Sequence, residues 1–344
     1  MVEQDRIISA IEDATYASSI HNSQPWRFTV LGDAVAVSLD PDATPRTVDP
    51  SGRWALASIG AVLATLEIAL VARTGLATST ELRVGDAPSD GELAGGQAYG
   101  GRPLAIVQVG DDAAPAAVKA QAERLAPTVR ERFTTRAPLT GGAPTQAEWA
   151  ALSAAAGASE LVTGTPAPEP LVRTLLALTA EAEVARQDDP DYLEEIERWV
   201  DNESHTGIPS AAIGLPDAEG KIPLRDFTQT PMGSAASGEA TFFEDPAALL
   251  VLTSASDAPV DQLLGGYAMQ RVMLEATALG LGIGVLGQAL EEPDSREKVD
   301  AAVSEALASP EPVVVHQVLR LGHPAGELAH VRTPRRPVKD VILG

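Results

Sequence analysis

Cysteine is absent from the 344 residues, so disulfide frameworks, thiolate zinc or iron–sulfur sites and cysteine nucleophiles are excluded. A reduced, cytoplasmic compartment is the expectation that fits. Aromatic residues make up only 4% where hydrophobic residues reach 44%, which predicts an aliphatic, alanine-rich core. Basic residues are scarce as well: 25 Lys and Arg stand against 48 Asp and Glu, a formal net charge of -23. Binding to a nucleic-acid backbone or an anionic bilayer draws on cations that neutralise phosphates, so neither partner is expected. Long uncharged runs are also lacking. The longest, 276–290, has 15 residues and four glycines, below the ~18 of a membrane-spanning helix. Residues 1–6 carry two acids and one base, unlike the basic and then apolar plan of a signal peptide. The composition is that of an ordinary globular chain with about two domains, or one large α/β unit.

Hydrophobic periodicity organises the chain. Residues 6–17 put Ile7, Ile8, Ile11 and Ala14 on one helical face. Two short strand-like runs, 28–31 and 35–39, flank Gly32-Asp33 as a hairpin. Residues 54–73 are apolar almost throughout, which predicts a buried helix stopped by Gly75 in the left-handed cap position. A strand is expected at 104–109 and a charged amphipathic helix at 116–133; a Gly/Pro/Thr linker, 138–144, leads to a helix at 146–156. Helical patterns return at 170–186 and 192–200. Glycine, proline, serine and threonine dominate 201–245, an irregular stretch long enough to be a lid. Strands at 249–253 and 313–321 and helices at 261–279 and 295–307 complete an α+β or α/β chain, a sheet covered by helices, with a possible join of two similar halves near residue 130.

Gly282-Ile283-Gly284-Val285-Leu286-Gly287 spells GxGxxG, but a dinucleotide site needs a strand before the glycines and a helix after them. Here the helix comes first, and a helix end feeding a strand is the better account. The five histidines, 21, 205, 316, 323 and 330, form no close ligand pair, so no metal is expected. No GxSxG elbow supports a serine hydrolase, and Ser234 and Ser237 sit in the irregular stretch as loop residues. Arg132-Phe133-Thr134-Thr135-Arg136 is denser: two guanidinium forks and two hydroxyls suit a phosphate monoester. Solvated arginines offsetting Glu123 and Glu131 explain the same letters equally well. In His21-Asn22-Ser23-Gln24-Pro25-Trp26, the side-chain amides match a ligand edge that alternates acceptors and donors, as a flavin pyrimidine does. A polar turn before the first strand is the plain alternative.

Taken together these segments resemble the nitroreductase superfamily, and in particular the Acg family of FMN-binding, nitroreductase-like oxidoreductases. The resemblance rests on HNSQPWRF at 21–28, RFTTRAPL at 132–139, GGYAMQRVMLEATALGLGIGVLGQALEEP at 265–293, HQVLRLGHP at 316–324 and TPRRPVKDVI at 333–342. It implies an α+β, three-layer α/β sandwich with two nitroreductase-like halves fused in one chain, 1–130 and 131–344, the second carrying a lid at about 201–245. It implies FMN as cofactor, its phosphate held by Arg132, Thr134 and Arg136 with Arg335 and Arg336 as a second cation pair. Asn22, Ser23 and Gln24 would meet the isoalloxazine, and backbone amides around Gly284, Leu286 and Gly287 would face flavin N5. The first half has no arginine-rich segment of its own, which suggests one FMN per chain. Ser18 stands where relatives commonly carry proline.

The function so implied is electron transfer from NAD(P)H through FMN to a nitroaromatic, quinone or similar small acceptor. The cofactor carries the chemistry, so no catalytic side chain is required. A silent FMN-sequestering protein with a closed lid is the alternative. A monomer imitating a dimer, or a homodimer, is the expected assembly.

Overall fold

The computed structural model describes residues 2–85, 99–200, 203–227, 241–328 and 331–343. Ser234, Ser237, His330 and the parts of the expected lid at 201–202 and 228–240 lie outside the described residues. The chain divides into two compact units. One comprises Met1–Arg132, Ala258–Leu274 and Pro334–Gly344, and the other Phe133–Asp257 and Glu275–Thr333.

In the first unit α1 (Gln4–Ala14) buries Ile7, Ile11 and Ala14 of the expected stripe, with Ala10 in place of Ile8, which is half-buried. Strands β1 (Trp26–Leu31) and β2 (Ala34–Leu39) form the hairpin, with Leu31 opposite Ala34. Helix α2 (Arg53–Thr74) is buried along nearly its whole length and ends at Gly75, whose φ of 72° only glycine adopts freely. It is long and apolar enough to cross a membrane, yet 89% of its most apolar window is buried, so burial on all sides accounts for its composition. Strand β3 (Leu76–Leu82) follows at once; its Thr and Ser content and half-exposed pattern left no clear period in the sequence. With β4 (Pro103–Ala113) the antiparallel sheet has the order β1-β2-β4-β3. The single helix expected over 116–133 is two, α3 (Ala116–Leu125) and α4 (Thr128–Glu131). Pro127 lacks the amide that would continue the ladder. Ile68 and Val71 of α2 pack with Ala122, Leu125 and Val129 in the core. The short α10 (Val338–Val341) leads to Ile342, which bridges Phe28, and Leu343 donates its amide to the Phe28 carbonyl at 2.7 Å.

The second unit opens with α5 (Gln146–Ala156), started by a capping box in which Thr145 and Glu148 satisfy each other's amides. Strand β5 (Thr163–Pro166) and helices α6 (Glu169–Arg186) and α7 (Pro190–Trp199) precede β6 (Ala248–Ser254). Helix α8 (Pro259–Ala278), β7 (Gly282–Val285), α9 (Pro293–Ala306) and β8 (Val314–Gly322) follow, and the antiparallel sheet runs β5-β6-β8-β7. The content is α+β with two four-stranded sheets. One plan occurs twice: two strands, a long helix, two more strands, in the spatial order first, second, fourth, third. Where β1 and β2 are joined by a tight turn, β5 and β6 are separated by α6, α7 and the irregular stretch. Residues 259–274 of α8 belong with the first unit, where glycines let it approach α2. A Cβ on Gly60 would lie 1.8 Å from the Leu263 carbonyl oxygen, and one on Gly266 1.9 Å from that of Ala57.

Candidate functional site

Six of the expected site residues fall in the first unit. After α1 the chain enters a tight turn in which His21, Asn22 and Gln24 have φ of 47°, 55° and 53°. Left-handed backbone is unfavourable for residues with a Cβ, and a run of such residues marks a site where surroundings over-determine the conformation. The Gln24 amide is held by Ser19 Oγ at 3.0 Å, and Pro25 keeps Gln24 out of the right-handed helical region. The side-chain amides turn toward the segment before α10. Asn22 Nδ2 donates to the Pro334 carbonyl at 3.0 Å, and Asn22 Oδ1 accepts from Arg335 Nη1 at 2.9 Å. Gln24 Oε1 accepts from the Arg336 amide at 2.8 Å. The Ser23 hydroxyl is fully buried with no hydrogen-bond partner among the described residues.

Arg335 and Arg336, adjacent in sequence, point to different tasks. Arg336 pairs with Asp40 at 3.2 Å, and Asp40 also meets Arg27 at 2.7 Å, so this cation fastens the C-terminal segment to the hairpin. Arg335 instead approaches Arg132. Both donate to the Tyr16 carbonyl, Arg132 at 3.2 Å and Arg335 at 3.4 Å. Arg132 is buried at the end of α4, where it also meets Met273 Sδ at 3.7 Å, and among the described residues its Nε has no partner. Burial, and then the charge of Arg335, push the Arg132 guanidinium down to about 9; burial pushes Arg335 down to about 10. Among the described residues Arg132 meets no carboxylate, and it forms no pair with Glu123 or Glu131. Two guanidiniums, Arg132 buried and Arg335 half-buried, thus share one carbonyl. Tyr16 and Met273 were not legible as site residues; the only hint was a rare tyrosine just past the first helical stripe.

The remaining candidates lie in the second unit. Thr134 is half-buried, and the Thr135 amide donates to the Ile283 carbonyl at 2.8 Å. That bond brings the 134–136 segment alongside β7, where a Cβ on Gly284 would come within 3.2 Å of the Thr135 carbonyl and of Arg320 Nε. The Leu286 amide is spent on the Val318 carbonyl at 2.9 Å, and Gly287 opens a short turn by accepting from the Leu290 amide at 2.9 Å. The GxGxxG letters therefore sit on a strand after a helix, not on a dinucleotide-binding turn. Arg136 is held by the Ala212 carbonyl at 2.9 Å and stacks on Phe227 at 5.4 Å; burial and then Arg225 push it down to about 10.

No family model matches the chain. It is 29% identical over 99% of its length, and 96% of the relative, to the Acg protein of Mycobacterium tuberculosis, provisionally named an NAD(P)H nitroreductase. An uncharacterized protein of the same species is 28% identical over 97% of this chain and 92% of its own. Among solved structures, a nitroreductase with bound FMN from Desulfitobacterium hafniense covers 64% of this chain and 97% of its own at 16% identity, with a TM-score of 0.40. A BluB-like flavoprotein from Clostridium difficile covers 63% and 96% at 15% identity, with a TM-score of 0.38. The chain is thus similar to these mycobacterial relatives, one of them named an NAD(P)H nitroreductase, along nearly its whole length.

Proposed function

We propose that this protein is an FMN-dependent, nitroreductase-like oxidoreductase, with Arg132 and Arg335 holding the FMN phosphate. The observation that carries the reading is the guanidinium pair in which the buried Arg132 has, among the described residues, an unpartnered Nε and no carboxylate. A phosphate monoester is dianionic and offers several acceptor oxygens, which matches two forks in a dry setting. The Acg relative's name, an NAD(P)H nitroreductase, supports the same choice. When bound, FMN would supply the redox chemistry, taking hydride from NAD(P)H at N5 and delivering electrons to a nitroaromatic, quinone or similar acceptor. The chain's own part is to bind and orient. Arg132 and Arg335 anchor the anion, Asn22 fixes Arg335, Gln24 and Asp40 fix Arg336, and the buried Ser23 hydroxyl is a spare donor in the same turn.

The purified protein should be yellow, bleach anaerobically with NADPH or NADH, and recover colour with a nitro compound. Removing both guanidiniums, Arg132→Ala with Arg335→Ala, should weaken FMN by several kcal/mol, as charge-assisted bonds contribute roughly 1.5–3 kcal/mol each. Full flavin content in that variant would sink the assignment.

A further inference from the structure

Arg132 and Arg335 repel one another, yet both reach the same main-chain oxygen, that of Tyr16. This residue lies just beyond the C-terminal end of α1, where helix carbonyls concentrate negative potential. Its ring lies 5.5 Å from the Arg335 guanidinium and 4.7 Å from that of Arg130. Arg130 is itself fixed by Asp13 at 2.9 Å, and Asp13 by Arg73, so the ring is braced from the α1 side. An aromatic face attracts a guanidinium, and the attraction grows when water is excluded. Tyr16 thus touches the pair twice, through its carbonyl and through its ring.

We propose that Tyr16 is the positioning residue of this guanidinium pair, holding Arg132 and Arg335 together as a preformed receptor for a phosphate monoester. The proposal rests on the FMN reading only for the identity of the ester; the receptor itself is tested with inorganic phosphate.

The test compares the apoprotein with Tyr16→Phe and Tyr16→Leu, titrated by calorimetry with FMN, riboflavin and inorganic phosphate. Phe keeps the ring and should stay within about twofold of the parent for all three. Leu should lose about five- to tenfold for FMN and phosphate, the scale of a desolvated cation–π contact, with riboflavin unchanged. A fold-stabilising role alone would weaken FMN and riboflavin alike, and that result overturns the proposal, as does an unaltered Leu variant. Should Tyr16→Leu fail to fold, Tyr16→Met fills similar volume without a ring and takes its place. A parent that binds phosphate but neither flavin, with the same loss in the Leu variant, upholds the positioning role and removes the flavin reading. A parent that binds neither phosphate nor FMN removes both.

Discussion

Arg132, proposed above to bind an anion, illustrates how a buried charge strains the fold that carries it. Its guanidinium is buried, and its folded pKa lies below the unfolded value. For a base, that sign means the unfolded chain holds the proton more tightly, so the charge opposes folding throughout the range below about pH 9, where both states are protonated. Arg132→Met should therefore raise the apoprotein's stability at neutral pH by about 1–3 kcal/mol while abolishing stabilisation by FMN, read as melting curves with and without flavin. Asn22→Ala removes the acceptor that orients Arg335; its FMN dissociation constant should rise about tenfold at unchanged riboflavin affinity. The dense segments at 21–26 and 132–136 were legible because their residue types are unusual together. Which of two adjacent arginines faces Arg132 was not, since Arg335 and Arg336 are chemically identical. Proximity is also not chemistry: Ser254 Oγ lies 2.7 Å from His316 Nε2, but it donates to the Ser256 carbonyl at 2.7 Å. Its proton is thus spent, the histidine must donate to it, and no serine nucleophile is activated there.

At the scale of elements, the glycines of α2 and α8 set how closely two long helices pack. A Cβ at Gly266 would overlap the Ala57 backbone, which no rotamer change relieves. Gly266→Ala should be destabilised by at least about 3 kcal/mol or fail to accumulate as soluble protein, against an unaffected Gly326→Ala, where nothing lies within 4 Å. Urea midpoints of the two variants check this. Most helices were readable from the 3.6-residue period, because each buries one stripe or, for α2, every side. Strand β3 and the break at Pro127 were not: one is a polar edge strand without strict alternation, the other a single residue in an otherwise continuous amphipathic pattern. Strand β7 follows α8 where the glycine-rich turn was expected to feed a strand.

Across the whole molecule, the net charge of -23 opposes the approach of the anion proposed to bind at Arg132 and Arg335. Long-range repulsion slows the encounter with FMN or a nicotinamide nucleotide, and salt screens exposed charges far more than a buried pair. Apoprotein should therefore take up FMN faster at 150 mM salt than at 10 mM, the reverse of the usual trend for an anion and a cationic site; stopped-flow fluorescence of the flavin measures it. The repeated strand order of the two sheets gives a physical basis for the fused-halves reading. The long interruption between β5 and β6 marks where the second copy departs from the first.

Local composition and periodicity alone determined that this chain has no thiol chemistry, an aliphatic core, an acidic surface and a set of helices with predictable faces, because those properties depend on residues within a few turns of each other. Even Gly75 is decided locally, by the left-handed conformation that ends α2. The proposed receptor depends on the tertiary structure alone. Arg132 and Arg335 are separated by about two hundred residues, and their meeting at Tyr16 depends on the C-terminal segment returning to pair with β1. The meaning of a guanidinium is set by what surrounds it: beside Asp40 an arginine is a fastener, and beside another arginine it is the anion anchor proposed above.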